Sequence, residues 1–189
     1  INKMDKGDAQ HTIVLANGAL AEGAAGSDRA QLLFYRGLAQ ELLGAHDAAL
    51  ADLGSAIANR VLPRDDRAQA LLQRGFLLDG LNRLDDAVRD YSAVIALKTP
   101  EAATAYNNRA NIWRRQGKLD AAQRDYLAAL AAGSDHPQYP FYGLGQIAEV
   151  RHDKYGARAC YAKAVAAEPS SRLASERLAD KAAGYGIPG

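Results

Sequence analysis

Cysteine is nearly absent from this chain of 189 residues: Cys160 stands alone, which excludes an intramolecular disulfide and any zinc site built on thiolates. An excess of charge is missing too. Lysine and arginine number 23 against 22 aspartates and glutamates, so the chain lacks the single-sign field that attracts nucleic acid, and nucleic acid is not an expected partner. No run of about 18 consecutive apolar residues occurs, which argues against a membrane-spanning helix and for a soluble chain. The four histidines, His11, His46, His136 and His152, are dispersed, without metal-ligand spacing or a companion carboxylate and serine. They read as solvated loop residues. No metal, cofactor or catalytic centre is expected, and the chain is not read as an enzyme. The start at Ile1 has no charged segment leading into an apolar one, so the sequence reads as an excised domain or a processed product, cytoplasmic or periplasmic.

What is present is ordinary in amount and periodic in arrangement. Hydrophobic residues make up 48% and charged residues 24%, the balance of a chain able to bury a core. Aligned on itself, the sequence superposes segments beginning at Gln31, Gln69, Thr104 and Tyr139, at offsets of 38, 35 and 35 residues. The first copy reads Leu33, Arg36-Gly37, Gln40, Ala49, Leu53, and the second Leu71, Arg74-Gly75, Leu78, Ala87, Tyr91, with Pro100 closing it. The third reads Tyr106, Arg109-Ala110, Trp113, Ala122, Tyr126, and the fourth Phe141, Leu144-Gly145, Ala148, Ala157, Tyr161, Pro169. Small residues such as Gly75 and Ala87 allow two helices to approach closely, while the bulky positions fill the space between successive helix pairs.

Turn residues divide each copy in two, at Gly44-Ala45, Leu81-Asn82, Gly117-Lys118 and His152-Asp153. Asp47, Asp85 and Asp120 are expected to be N-caps of the second helices. Asp65-Asp66 and Asp85-Asp86, which could pass for paired carboxylates, fall at helix starts, where an anion favours the helix dipole. Residues 8–22 carry Ile13, Ala16, Ala19 and Leu20 at helical spacing, as a half repeat ahead of the first full one, and residues 23–27 break it. Residues 171–183 read as a polar capping helix and 184–189 as a tail.

In this register the chain resembles the tetratricopeptide-repeat (TPR) family, whose unit is about 34 residues with a bulky residue, a Leu-Gly step, an alanine, an aromatic and a proline at fixed places. The resemblance covers about residues 28–169. It implies an all-α fold, a right-handed α-solenoid of four helix-turn-helix repeats (about 28–65, 66–101, 102–136 and 137–169), with an N-terminal half repeat at 1–27 and a C-terminal capping helix and tail at 170–189. It also implies that the first helices of the units line a peptide-binding groove. The positions carried over are Phe34, Leu38 and Glu41 in the first repeat and Leu72, Gln73, Phe76 and Asp79 in the second. The third supplies Asn107, Asn108, Asn111 and Arg114, and the fourth Tyr142, Gln146 and Glu149. Ligand contact is expected to centre on Phe76, Asn108, Asn111 and Arg114, and residues 185–189 are the competing candidate. The asparagines are similar to those of the two-carboxylate clamp of co-chaperone TPR domains. That clamp also needs basic residues where this chain has Phe34, Gln69, Gln73, Thr104 and Tyr142, so a full clamp is not expected.

One departure from the family is systematic. Where it has leucine before the glycine, the first three repeats have Arg36, Arg74 and Arg109, and sixteen residues on stand Asp52, Asp90 and Asp125. The fourth repeat replaces both partners together, with Leu144 and Cys160. Joint replacement is what mutual partnership predicts, because a charge at a half-buried site must be paired. The arginines are therefore expected to pair with the aspartates rather than capture an acidic ligand, and Cys160 to be an inert core thiol. Gly143-Leu-Gly145-Gln-Ile-Ala148 matches the dinucleotide fingerprint but lies inside a repeat helix instead of a strand-to-helix turn, so nucleotide is not expected. The function implied is that of a protein-protein interaction scaffold holding a partner's segment. The alternative is an assembly or self-association arm acting through its ends or convex face.

Overall fold

Left-handed residues set the architecture. The helices are joined by turns in which Gly44, Asn82, Gly117 and His152 take φ of 79°, 59°, 73° and 59°. At each turn the next amide reaches back five residues: Ala45 N to Gln40 O and Arg83 N to Leu78 O at 2.8 Å, Lys118 N to Trp113 O and Asp153 N to Ala148 O at 2.9 Å. The turn residue itself donates three residues back, as Gly44 N does to Glu41 O at 2.9 Å. These are the two bonds of the Schellman motif, which satisfies helix C-terminal carbonyls and reverses the chain. Two of the four turns use glycine, which bears the left-handed conformation without a Cβ penalty. His152 occupies that position in the fourth turn.

The computed structural model describes residues 5–183. Among them are ten helices and no strand: α1 (Lys6–Ala21), α2 (Gly26–Leu42), α3 (His46–Ala58), α4 (Arg64–Gly80), α5 (Leu84–Leu97), α6 (Ala102–Arg115), α7 (Leu119–Ala131), α8 (Gln138–Val150), α9 (Lys154–Ala167) and α10 (Arg172–Ala183). They pack as the hairpins α2·α3, α4·α5, α6·α7 and α8·α9, with α1 against α2 and α10 against α9. The chain forms two compact units, Ile1–Glu101 and Ala102–Gly189. No helix among the described residues is long and apolar enough to cross a membrane. The tail at 184–189 lies outside the described residues.

The first unit comprises α1 to α5. Asp5 begins α1 with a capping box: its carboxylate accepts from Asp8 N at 2.9 Å, and Asp8 reaches back to Asp5 N. Gly26 and Ser27, expected in the break after α1, open α2 instead. Two arginines of α4 satisfy orphan carbonyls at the ends of its neighbours. Arg67 donates to Ile57 O and Asn59 O at the end of α3, and Arg64 to Leu97 O and Lys98 O at the end of α5, which also sets positive charge against each dipole's negative end.

The second unit comprises α6 to α10. Its core joins Ala110, Ala122, Tyr126 and Ile147, with Trp113, Leu119 and Leu144 packed against them. Pro140 is buried in the first turn of α8, where the amide it lacks would have had no intrahelical partner.

The expected N-caps require a correction. The caps of α3, α5 and α7 are Ala45, Arg83 and Lys118, so Asp47, Asp85 and Asp120 stand at the second helical position. The Schellman turn leads straight into the next helix, and its last residue is the cap. The aspartates act on the dipole from within the first turn. Among the second helices of the four hairpins, α9 alone is capped by an aspartate side chain, Asp153 accepting from Gly156 N at 2.9 Å. Asp66, expected as dipole compensation, also accepts from Gln31 Nε2 at 3.0 Å.

Candidate functional site

Three of the four hairpins are locked by one large side chain against a glycine, and in the third hairpin Tyr126 packs in one cluster with Ala110 and against Gly143 of the next hairpin. Leu53, Tyr91, Tyr126 and Tyr161 on the second helices have no exposed surface. A Cβ on Gly37 would come within 2.9 Å of Leu53, one on Gly75 within 2.8 Å of Tyr91, and one on Gly145 within 2.5 Å of Tyr161. A Cβ on Gly143 would meet Tyr126 at 2.2 Å. The two glycines of the fingerprint-like segment are thus explained by close packing of α8 on two tyrosines.

Beside this lock sits the expected charged clasp. Arg36 donates through Nε and Nη2 to Asp52 at 2.6 and 2.7 Å, Arg74 to Asp90 at 2.7 Å twice, and Arg109 to Asp125 at 2.7 and 2.9 Å. All three aspartates are buried. The fork of each guanidinium matches the carboxylate edge to edge, the geometry that offsets the desolvation of the two charges. For Arg36 and Arg74, hydrogen bonding to the carboxylate outweighs burial and drives the guanidinium still further toward its charged form. Arg36 makes a third hydrogen bond, through Nη1 to Asn17 Oδ1 on α1 at 2.7 Å. In the fourth hairpin, Leu144 and Cys160 line a common cleft, and burial pushes the Cys160 thiol up, away from thiolate.

On the first helices of unit 1, the carried-over positions are unequally available. Phe76 on α4 is 60% exposed. Leu38, Glu41, Leu72, Gln73 and Asp79 are half-buried. Phe34 must be withdrawn: it is 1% exposed, within the cluster of Leu33, Leu53, Ala56, Leu62 and Ala70. The bulky ring that suggested a groove contact fills the core instead.

On the first helices of unit 2, every candidate is half-buried: Asn107, Asn108, Asn111 and Arg114 on α6, Tyr142, Gln146 and Glu149 on α8. Several are held from below. The buried phenol of Tyr126 donates to Asn111 Oδ1 at 2.6 Å and accepts from Arg114 Nε at 3.4 Å. Asn107 Nδ2 donates to Asn108 Oδ1 at 3.3 Å. Tyr142 packs its ring on Tyr161 at 5.5 Å. Burial, with the anion of Glu149 nearby, pushes the Tyr161 phenol far above its ordinary value, so it stays protonated.

Sequence reasoning missed Arg177. It lies on α10, which follows α9 as a first helix would, 3.9 Å from Glu149 Oε2 and hydrogen-bonded to Tyr142. The signal was available, because Arg177 stands one 35-residue step after Tyr142, which itself stands one step after Asn107. The four histidines are all exposed, as expected of solvated residues, but His11 and His46 lie on helices rather than in loops.

Comparison with known proteins agrees with this geometry. Residues 66–137 match the family model described as tetratricopeptide repeat. These residues are tetratricopeptide repeats. No curated protein matches the sequence. Among solved structures, a TPR protein from Parabacteroides merdae is 20% identical, with a TM-score of 0.77 over 97% of this chain and 69% of that one. Residues from 41 onward of MamA from Desulfovibrio magneticus are 20% identical, with a TM-score of 0.70 over 86% of this chain and 89% of that one. YrrB, described as a TPR protein with an unusual peptide-binding site, is 17% identical, with a TM-score of 0.70 over 90% and 83%. At such identities the likeness is one of fold, and the fold is the all-α TPR fold. Its repeats carry the departure described above, a buried Arg-Asp clasp in three hairpins.

Proposed function

We propose that this chain is a protein-protein interaction module that holds an extended or helical segment of a partner against the first helices of its TPR hairpins, with no turnover. The observation that supports this most is the face of unit 2 on α6 and α8, where Asn111 and Arg114 are fixed through Tyr126. Side chains already held by the core lose little rotamer freedom when a ligand arrives, which raises the affinity obtained from each contact. Amide groups suit a peptide backbone because each both donates and accepts. In unit 1 the corresponding contacts are Leu38, Leu72, Gln73 and the exposed ring of Phe76. Groove recognition of this kind is an established mode of peptide binding, and YrrB is described as having a peptide-binding site of its own.

The test is a titration with a partner captured from native extract. Asn111→Ala and Arg114→Ala are each expected to weaken binding while the circular dichroism spectrum stays unchanged. Unchanged affinity in both variants would move the binding site off these helices.

A second reading is supported by α1, where Val14 and Leu15 are 63% and 59% exposed at one end of unit 1. Aliphatic side chains left in water at the end of a repeat stack suit association through that end. Light scattering coupled to size exclusion separates the two readings, since the groove reading predicts a monomer in the absence of partner.

A further inference from the structure

The register places equivalent clefts on the two units, on the side of the first helix opposite the proposed peptide face. In unit 1 the cleft measures about 390 Å³ and is lined with charge: Arg74 and Asp90, with Arg83, Asp86 and Arg89. Every one of these charges is matched. Arg74 is clasped by Asp90, and Asp86 accepts from both Arg83 and Arg89. In unit 2 the cleft lies between α7 and α9 over α8 and measures about 290 Å³. Its position is the same one repeat pair later, since Leu144 and Cys160 stand where Arg74 and Asp90 stood. Its character is reversed, for Leu127, Phe141, Leu144, Ile147 and Cys160 give it apolar walls.

Three features set this cleft apart from a packing defect. Leu127, on its wall, is 49% exposed, and Phe141, Leu144 and Cys160 are only half-buried, so apolar surface is left in water where the other hairpins place an ion pair. The volume is just below the range of small-molecule sites and suits a single side chain. Lys163, an exposed lining residue, has its ammonium 5.6 Å from the Phe141 ring centroid and forms no ion pair among the described residues. The other cation of the wall, Arg151, is already engaged by Asp120 and Gln123.

We propose that the α7–α8–α9 cleft is a second docking site, which receives one bulky aliphatic or aromatic side chain from a partner protein's segment and pairs a carboxylate beside it with Lys163. The combination is specific to unit 2: Leu50, Ala51 and Leu78 also line the cleft of unit 1 but every cation there is paired, whereas in unit 2 the lining carboxylate Asp153 caps α9 through Gly156 N and Lys163 has no ion pair among the described residues. On α8, residues 141, 144 and 148 fall on the face opposite Tyr142, Gln146 and Glu149 at 3.6 residues per turn, so one helix can serve both sites at once.

Cys160 is the sole cysteine and lines the cleft, so its alkylation by iodoacetamide reports occupancy directly. The probes are blocked pentapeptides, Gly-Glu-Leu-Glu-Gly against Gly-Glu-Ala-Glu-Gly and Gly-Lys-Leu-Lys-Gly, added to the whole chain. For a Kd of about 1 mM, about 5 mM of the first peptide slows alkylation by about sixfold. The alanine and lysine peptides are expected to slow it by less than about twofold. In Lys163→Ala the advantage of the glutamate over the lysine peptide should vanish. Equal slowing by all three peptides, slowing by none, or an unaltered preference in Lys163→Ala would overturn the proposal. Because these residues are not on the peptide face of α6 and α8, the outcome is independent of the groove reading.

Discussion

Arg74 and Asp90 hold each other through two hydrogen bonds of 2.7 Å, and through them the first helix of the second hairpin is joined to the second. Asp90 is 5% exposed, so its charge has no recourse to water if the arginine is lost. Arg74→Ala leaves the buried carboxylate without its partner and should destabilise the fold by about 3–5 kcal/mol in chemical denaturation. Replacing both partners as the fourth hairpin does, Arg74→Leu with Asp90→Cys, should be close to neutral. Additive losses in the double-mutant cycle would show that the two residues are not coupled.

Gly143 and Gly18 are both helical glycines with opposite expectations. A methyl group at 143 would fall 2.2 Å from the Tyr126 ring, whereas one at 18 would meet nothing within 4 Å. Gly143→Ala should therefore destabilise by about 1–3 kcal/mol through overpacking. Gly18→Ala should stabilise by roughly 0.5–1 kcal/mol, the usual gain within a helix. Thermal unfolding of the two variants checks the pair of signs.

Tyr126→Phe removes one hydroxyl and with it the bonds to Asn111 and Arg114. The loss to folding should be modest, about 0.5–1.5 kcal/mol. The loss to partner binding should be larger than that expected of a residue with no exposed surface, because Asn111 and Arg114 become free to rotate. Calorimetry with the captured partner separates the two effects.

Glu41 is half-buried, and burial raises its carboxyl above the ordinary glutamate value, opposed by the nearby His46. Its folded state thus binds the proton more tightly than the unfolded chain. Stability contributed by the protonated form is present below the unfolded value and is lost as pH rises through the raised one. Glu41→Gln should flatten that part of the stability-pH curve and be more stable than the parent at neutral pH, as read from urea midpoints across the acid range.

The helices and hairpins were legible in the sequence because a repeat states its pattern four times, so Gly75 with Tyr91 and Gly145 with Tyr161 supported one another across 70 residues. The Arg-Asp clasps were legible for the same reason, through their joint loss in the fourth copy. Caps were less so: Asp47, Asp85 and Asp120 have a capping composition, but their place is decided by where the Schellman turn ends, a matter of φ at the preceding residue. Phe34 failed as a site residue because burial of a bulky ring depends on what packs over it, here the cluster containing Leu62 and Ala70. The role of Tyr126 beneath Asn111 and Arg114 is a three-dimensional relation that no spacing announces.

The central claim is that a partner lies on the first helices, and hydrogen-deuterium exchange of the chain with and without its captured partner addresses it most directly. Slowed exchange is expected in α6 (Ala102–Arg115) and α8 (Gln138–Val150), with protection of α6 reduced in Asn111→Ala at equal partner concentration. Protection confined to α1, or absent from both α6 and α8 at saturation, would contradict the account.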